Sequence, residues 1–184
     1  MAGLANEAEV RVSDSAELSA RIVAALTARH YTIAVAESLT GGLLVAELIR
    51  TPGASVVVLG GVVAYNTALK SSILGVDARL LADRGAVDAE VARQMATGAR
   101  ERLAVDSRPA DIGISTTGVA GPDPQDGKPV GTVFLGLATA GGASSVELAL
   151  PGDRAGIRSA VVSESLVQLT RLIDTFPEHS PTFG

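Results

Sequence analysis

The sequence predicts an α/β fold, a three-layer α/β/α sandwich whose mixed sheet contains a C-terminal antiparallel hairpin. Along most of the chain, segments with the 3.6-residue apolar period of amphipathic helices alternate with short β-branched segments. Strands joined through helices favour parallel neighbours, with helices on both faces of the sheet. Two extended segments near the C-terminus flank a glycine-rich turn at residues 140–142, which favours an antiparallel hairpin.

The N-terminal half predicts two helix–strand pairs and a third helix. Asp14 or Ser15 can cap the first helix, because apolar residues follow at helical spacing. The next two helices are expected to end at Pro52 and Gly75, residue types that commonly terminate helices. The segments after the first helix are "YTIAVA" (31–36, strand), "GGLLVAELIR" (41–50, helix), "VVVLGGVVAY" (56–65, strand) and "NTALKSSIL" (66–74, helix).

The C-terminal half predicts a long helix, three strands and a last helix. Asp88 starts the long helix, in which apolar residues recur at every fourth position from Val91 to Leu103. A turn-rich loop, "TTGVAGPDPQDGKP" (116–129), is expected after the first of the three strands. The remaining segments are "DIGIS" (111–115), "VGTVFLGLAT" (130–139), "SSVELAL" (144–150) and a helix over about 154–174.

Length and composition predict one globular domain over residues 13–175, with flexible segments at 1–12 and 176–184, in a chain of 184 residues with 47% hydrophobic content. The longest apolar run, residues 56–65, is shorter than the ~18 residues of a membrane span, and the acidic N-terminus is unlike a signal peptide. We therefore expect a cytoplasmic protein without a membrane partner. A net charge of −5 with scattered basic residues also argues against a nucleic-acid partner.

The absence of cysteine limits the possible chemistry. A thiolate nucleophile, an iron–sulfur cluster and a cysteine-ligated zinc are excluded, and two histidines are too few for the usual histidine-rich metal sites. His30 lies at a predicted helix end and His179 in a polar tail, positions typical of structural or solvated histidines. We therefore expect no metal and no cofactor.

Two familiar motifs fit the sequence poorly. "GPDPQDGKPV" resembles a P-loop, but five residues separate Gly121 from Gly127, and Pro129 occupies the position of the metal-binding Ser or Thr. Tyr65 and Lys70 resemble the pair of short-chain dehydrogenases, but four residues rather than three intervene and no GxGxxG follows the first strand. An ATPase of the P-loop type and a nicotinamide-dependent oxidoreductase are both disfavoured.

Polar residues follow the first predicted strand in "AVAESLTGG" (34–42). Ser38 and Thr40 precede a helix whose free N–H groups and dipole favour an anion or a developing oxyanion. The alternative is a simple helix cap by either hydroxyl, with Gly41 and Gly42 allowing close packing. No GxSxG elbow surrounds Ser38 and no histidine is suitably placed, so a histidine-dependent serine hydrolase is disfavoured.

Lys70 offers the serine a base other than histidine. A partly desolvated lysine near other cations loses its proton more easily, so a Ser38–Lys70 pair is chemically sufficient. The alternatives are a solvated helix lysine and, for the nearby Tyr65, an aromatic side chain with its hydroxyl in water. Arg154 begins a predicted helix, where the dipole disfavours a cation; an anion ligand or a surface salt bridge would explain it.

Four segments in this order, "AESLTGG", "YNTALKSSILGV", "TTGVAGPDPQDGKPVGTV" and "GDRAGIR", resemble the C-terminal domain of the competence and damage inducible protein CinA, the nicotinamide mononucleotide deamidase (PncC) family. The resemblance extends from about Ser15 to Asp174. It implies hydrolysis of the carboxamide of nicotinamide mononucleotide (NMN) to nicotinate mononucleotide and ammonia, a step in pyridine nucleotide recycling that uses no metal. It also implies a homodimer, and it covers only one domain of the longer members.

The resemblance also assigns the site residues. Ser38 matches the nucleophile, Tyr65 and Lys70 match the tyrosine and the lysine base, and Arg154 matches the essential arginine. Leu39 replaces a cysteine of many members, and its side chain is expected to point away from Ser38. We expect backbone N–H groups near Gly41 and Gly42 or Gly118 to hold the oxyanion. The full set of expected substrate-binding residues is Thr40, Gly41, Gly42, Thr116, Thr117, Gly118, Ala120, Gly121 and Arg154.

Two other classes of function remain open from the sequence. One is a catalytically silent module that binds a mononucleotide in the same pocket and regulates a partner. The other is an interaction domain of the competence or damage response. The joint presence of Ser38, Tyr65, Lys70 and Arg154 favours the enzyme.

Overall fold

The computed structural model describes residues 2–176, with side chains described from residue 14 onward. Six α-helices and five β-strands lie in that range. Their bounds are α1 Ala2–Arg29, β1 Ile33–Glu37, α2 Leu43–Ile49, β2 Val58–Val63, α3 Thr67–Ser72, α4 Ala78–Arg84, α5 Ala89–Arg102, β3 Ile112–Gly118, β4 Thr132–Thr139, β5 Gly142–Ala149 and α6 Arg154–Asp174.

The strands form one mixed sheet in the order β2-β1-β3-β4-β5. The pairs of β1 with β2 and with β3 are parallel, whereas β3 with β4 and β4 with β5 are antiparallel. Helices α1, α2 and α6 pack on one face of the sheet, and α3, α4 and α5 pack on the other. The predicted three-layer sandwich and its C-terminal hairpin are therefore confirmed.

Strand β1 distributes its side chains between the two layers by the two-residue period of a strand. Ile33 and Val35 join the core under α1, α2 and α6, whereas Ala34 and Ala36 join the core under α5. The same alternation assigns the next side chain, that of Glu37, to the α2 face. Strand β1 ends at Glu37, and Ser38 is the first residue after it.

Helix α5 lies unusually close to the sheet. A Cβ atom at Gly113 would overlap the carbonyl oxygen of Ala96, and one at Gly136 would overlap that of Ala92. The backbone of α5 therefore approaches the centre of the sheet only because these two strand positions lack a side chain. The segment before α5 is joined to β3 by the Thr117 hydroxyl, which donates to the Ala86 carbonyl oxygen.

Three features differ from the sequence predictions. Helix α1 begins at Ala2 rather than at Asp14 or Ser15, and the alanine- and glutamate-rich sequence before Asp14 favours helix. Helix α4 was not predicted. Strand β3 continues to Gly118, so that Thr116 and Thr117 lie in a strand and not in the expected loop.

The C-terminal end of the described chain packs on the core. The ring of Phe176, predicted to begin a flexible tail, contacts that of Tyr31 edge to face, with 5.0 Å between the ring centroids. The rest of the predicted tail, which includes His179, lies outside the described residues. None of the helices described in residues 2–176 is long and apolar enough to cross a membrane.

Candidate active site

A cavity of about 170 Å³ lies at the carboxyl ends of the parallel strands. Ser38 follows β1 directly, Tyr65 follows β2, and Thr117 lies near the end of β3, so the three strand ends bring separate sequence motifs together. Ligand sites in α/β proteins commonly occupy this edge of the sheet. Of the predicted site residues, the structure places these in the cavity wall: Ser38, Tyr65, Lys70, Thr117, Gly118, Ala120, Gly121 and Arg154.

Ser38 and Lys70 form a buried pair in this cavity. The Lys70 Nζ donates hydrogen bonds to the Ser38 Oγ at 3.0 Å and to the Ala64 carbonyl oxygen at 2.7 Å. The short helix α3, whose N-terminus is capped by the Asn66 side chain, turns Lys70 back toward β1. Lys70 is only 1% exposed, so its amine is largely removed from bulk water. At 3.0 Å, a proton can pass between the Lys70 Nζ and the Ser38 Oγ.

Burial lowers the pKa of Lys70 from 10.5 to about 8. Desolvation disfavours the ammonium form, because a buried charge loses the stabilisation of water. At pH 7 about one Lys70 in ten is therefore neutral, since each pH unit below the pKa changes the ratio tenfold. The sequence predicted that nearby positive potential would contribute to the shift. Desolvation alone accounts for it here.

Tyr65 lies at the mouth of the cavity and does not reach the pair. Its side chain is 60% exposed, and its hydroxyl accepts a hydrogen bond from the Arg154 Nη2 at 3.0 Å. Within the described residues it forms no hydrogen bond with Ser38 or Lys70. Tyr65, which the resemblance groups with the lysine base, therefore contacts Arg154 at the cavity mouth and not the Ser38–Lys70 pair.

Arg154 joins two walls of the cavity at its opening. Besides the Tyr65 hydroxyl, its guanidinium donates to the Gly121 carbonyl oxygen at 2.8 Å. No Asp or Glu described in residues 14–176 lies within 4.0 Å of it as an ion-pair partner. Of the two explanations that the sequence left open, the surface salt bridge is absent from the described part of the chain, and the positive charge remains available to an anion.

Glu37, which the sequence interpretation missed, holds the turn that carries Ser38. Its carboxylate is 1% exposed and accepts hydrogen bonds from the N–H groups of Gly42, Leu44 and Val45 at 2.9, 3.1 and 2.9 Å. These groups are free donors at the start of α2, which a carboxylate satisfies well. Neither Ser38 nor Thr40 caps the helix. An acidic residue at the end of an otherwise apolar strand, "IAVAE", was the available signal.

Four predicted binding residues do not line the cavity. The hydroxyls of Thr40 and Thr116 are fully buried and lie 2.7 Å apart, in a hydrogen bond between the turn and β3. The Gly41 N–H donates to the Ser38 carbonyl oxygen, and the Gly42 N–H donates to Glu37. The Gly41 and Gly42 N–H groups are therefore not free to hold an oxyanion, and the expectation that donors near these glycines or Gly118 do so stays a prediction.

Two other backbone N–H groups in the cavity wall remain available. Leu39 and Ala120 line the cavity, and their N–H groups donate to no acceptor among the described residues. Leu39 directly follows Ser38, and Ala120 comes two residues after the end of β3. Leu39 also belongs to a buried apolar cluster that includes Ala120 and Ile157. Donors beside a nucleophile can stabilise a developing oxyanion.

Further residues in the wall carried weaker sequence signals. Thr67 and Val87 also line the site, and Asp123 and Gln125 contribute from the loop after β3. Asp126 of this loop accepts a hydrogen bond from the Ala86 N–H, while Thr117 donates to the Ala86 carbonyl oxygen. Among the described residues, no group of three or more His, Asp or Glu side chains could hold a metal ion.

Comparisons with known sequences point to one family. The family model described as the CinA C-terminal domain matches residues 15–173. A CinA-like protein of Frankia casuarinae is 46% identical over 161 residues, which make up 88% of this chain and 36% of that protein. A CinA-like protein of Anaeromyxobacter sp. is 48% identical over 153 residues, or 82% of this chain and 36% of that protein. The chain thus spans about a third of the length of these relatives.

Solved structures have the same fold over nearly their full length. The competence/damage inducible protein CihA of Agrobacterium tumefaciens superposes with a TM-score of 0.80 at 36% identity, covering 86% of this chain and 95% of that one. A CinA superfamily protein of Klebsiella pneumoniae superposes with a TM-score of 0.82 at 30% identity, covering 88% and 99%. Sequence and fold agree, and the chain belongs to the CinA C-terminal domain family.

Proposed function

We propose that the protein is an amidohydrolase that converts NMN to nicotinate mononucleotide and ammonia. The observation that carries the proposal is the buried 3.0 Å contact between the Ser38 Oγ and an Nζ whose pKa lies near 8. A serine needs a base to become a nucleophile, and a neutral lysine amine supplies one. Family membership supports the choice of reaction.

In the first half of the reaction, Ser38 attacks the carboxamide carbon. The neutral Lys70 amine takes the Oγ proton as the C–O bond forms, while its bond to the Ala64 carbonyl oxygen holds the nitrogen in place. Negative charge develops on the carboxamide oxygen, and the Leu39 and Ala120 N–H groups are the donors offered to it. The C–N bond then breaks, and the Lys70 ammonium returns its proton to the departing nitrogen, which leaves as ammonia.

In the second half, water hydrolyses the ester on Ser38. Lys70, neutral again, takes a proton from the water as it attacks the ester carbon. The bond between that carbon and Oγ breaks, and Lys70 returns the proton to Ser38. The products are the original enzyme and a carboxylic acid, which releases its remaining proton to water to give the carboxylate, and no oxidant or additional cofactor enters the balance.

Arg154 is assigned to the anionic part of the substrate. Its guanidinium lies at the cavity mouth with only neutral hydrogen-bond partners among the described residues. A phosphate accepts paired N–H donors from arginine well, so the phosphate of a mononucleotide fits this position. The reacting carboxamide would then lie deeper, beside Ser38.

Ammonia release from NMN, nicotinamide and NAD tests the proposal. We expect release from NMN, little from nicotinamide because it lacks the phosphate, and little from NAD. The binding of each compound is measured in parallel by calorimetry. Tight NMN binding without ammonia release would contradict the proposed enzyme and favour a silent mononucleotide-binding module.

A further inference from the structure

Arg158 binds the turn that carries Ser38, although it does not line the cavity. Its Nε donates to the Leu39 carbonyl oxygen at 2.9 Å, and its Nη2 donates to the Thr40 carbonyl oxygen at 3.0 Å. The two acceptors are consecutive residues that follow the nucleophile. A planar guanidinium can donate to two fixed acceptors at once, so these contacts define both the position and the orientation of the turn.

Arg158 and Glu37 act on the same turn with opposite hydrogen-bonding character. Glu37 accepts from three N–H groups on the α2 side, whereas Arg158 donates to two carbonyl groups on the α6 side. Between them, the Gly41 N–H closes the turn onto the Ser38 carbonyl oxygen at 3.1 Å. The backbone that follows Ser38 is thus held from both sides.

Helix α6 connects this turn with the opposite wall of the cavity. Arg154 and Arg158 lie one helical turn apart, so their side chains leave the same face of α6. Arg154 contacts Gly121 in the wall after β3, while Arg158 contacts the wall after β1. The start of one helix therefore sets the spacing of the two loops that supply the free Leu39 and Ala120 N–H groups.

We propose that Arg158 is a positioning residue for Ser38: it fixes the turn after β1 so that the serine Oγ and the Leu39 N–H keep their geometry toward Lys70 and the substrate. This inference rests on the proposed function for both its substrate and its nucleophile. Because a displacement of about 1 Å at a reacting group can lower a rate about a hundredfold, the effect is expected in kcat rather than in substrate affinity.

The test compares Arg158→Ala and Arg158→Lys with the wild type. Arg171→Ala is the matched control, since Arg171 is exposed on the same helix and about 20 Å further along it at 1.5 Å per residue. The readouts are kcat and KM for NMN, the thermal unfolding midpoint, and the rate at which a serine-directed fluorophosphonate labels Ser38. Labelling requires the nucleophile but not NMN.

We expect Arg158→Ala to lower kcat and the labelling rate by about a hundredfold, with KM changed less than about threefold. Arg158→Lys should lie between, because an ammonium cannot reproduce the fork of donors. Arg171→Ala should match the wild type. If the wild type labels but releases no ammonia, and Arg158→Ala labels slowly, then the NMN proposal fails while this inference holds.

Three outcomes would overturn the inference. Folded Arg158 variants with kcat and labelling rates within twofold of the wild type would show that the turn does not need the arginine. A raised KM with unchanged kcat would make Arg158 a substrate ligand. Loss of cooperative unfolding in both variants would make it a folding requirement rather than a positioning residue.

Discussion

The amine of Lys70 is enclosed by protein and has two oxygen neighbours, of which one is the Ser38 Oγ. Burial destabilises its ammonium form and thereby produces a base near neutral pH. The same burial weakens the folded protein at neutral pH, because the unfolded chain can keep the proton at no such cost. Function and stability are therefore opposed at this one side chain, as is common at active sites.

The pH dependence of turnover should follow Lys70. We expect kcat/KM for NMN to rise about tenfold per pH unit below the pKa of about 8 and to level off above it, because the neutral amine is required. Lys70→Ala and Lys70→Arg should both lose activity by large and similar factors, with the arginine variant keeping more substrate affinity. Steady-state kinetics over pH 6 to 10 measures both effects. An Lys70→Arg variant with most of the wild-type kcat would instead make Lys70 a charge partner of the substrate.

Replacing Lys70 by Met should increase the unfolding free energy, relative to the wild type, more at neutral pH than at high pH. The folded pKa of about 8 lies below the 10.5 of a solvated lysine, so the wild type gains stability as pH rises through this window. A shift of this size corresponds to about 3 kcal/mol. The difference in unfolding free energy, Lys70→Met minus wild type, should therefore fall by about that amount between pH 7 and 10.5. Urea unfolding at several pH values measures it, and a constant difference would show that Lys70 is not desolvated.

Three consecutive elements carry Ser38 and the contacts that support it: strand β1, the turn after it and helix α2. The sequence showed a strand, a polar junction and a helix, and it offered Ser38 or Thr40 as the cap. The structure uses Glu37 instead, because the strand period directs that carboxylate toward α2. Ser38 is thereby freed from capping and remains available to Lys70.

Glu37→Gln should weaken both the fold and the reaction. The amide keeps the shape but replaces one acceptor oxygen with a donor that faces N–H groups, so buried donors of α2 lose their partner. We expect a loss of about 2 to 3 kcal/mol in unfolding free energy, from urea titration, and a lower kcat. Glu47→Gln, which breaks a surface contact with Arg50, is the control and should change stability by less than about 0.5 kcal/mol. Equal stability of the two variants would argue against the capping role of Glu37.

At the scale of the molecule, the parallel strands place Ser38, Tyr65 and the end of β3 at one edge of the sheet. The alternation of helix and strand patterns was enough to predict this layered fold. Helix α4 was missed although Asp77, which accepts a hydrogen bond from the Arg79 N–H, is a residue type that commonly caps a helix. The strand character of Thr116 and Thr117 was missed because their hydroxyls are buried in bonds to Thr40 and Ala86, which only tertiary contacts reveal.

The sequence likewise predicted only part of the site. The motifs identified Ser38, Lys70 and Arg154, all of which line the cavity. The motifs could not show that the Gly41 and Gly42 N–H groups already have hydrogen-bond acceptors, since a backbone hydrogen bond does not depend on which residue type donates it. Nor could they show which acceptor Arg158 reaches, because that depends on how α6 crosses the turn.

We propose that the protein forms a homodimer. Several large apolar side chains on and after β2 are exposed, among them Val63, Tyr65, Leu69 and Ile73, and exposed apolar groups favour association. Light scattering at micromolar concentration should give a mass near 37 kDa, twice the 18.6 kDa of one chain. A mass of one chain would contradict the dimer without affecting the chemistry of Ser38.

Ser38 is proposed to be the nucleophile of an amide hydrolysis. The most direct test is the rate at which the Ser38→Ala variant releases ammonia from saturating NMN. Ser72→Ala is the control, because Ser72 is an exposed hydroxyl on the helix that carries Lys70. We predict that Ser38→Ala lowers the rate by about a thousandfold or more while NMN affinity changes less than about threefold, and that Ser72→Ala matches the wild type. A Ser38→Ala variant that releases ammonia at more than a tenth of the wild-type rate would contradict the claim.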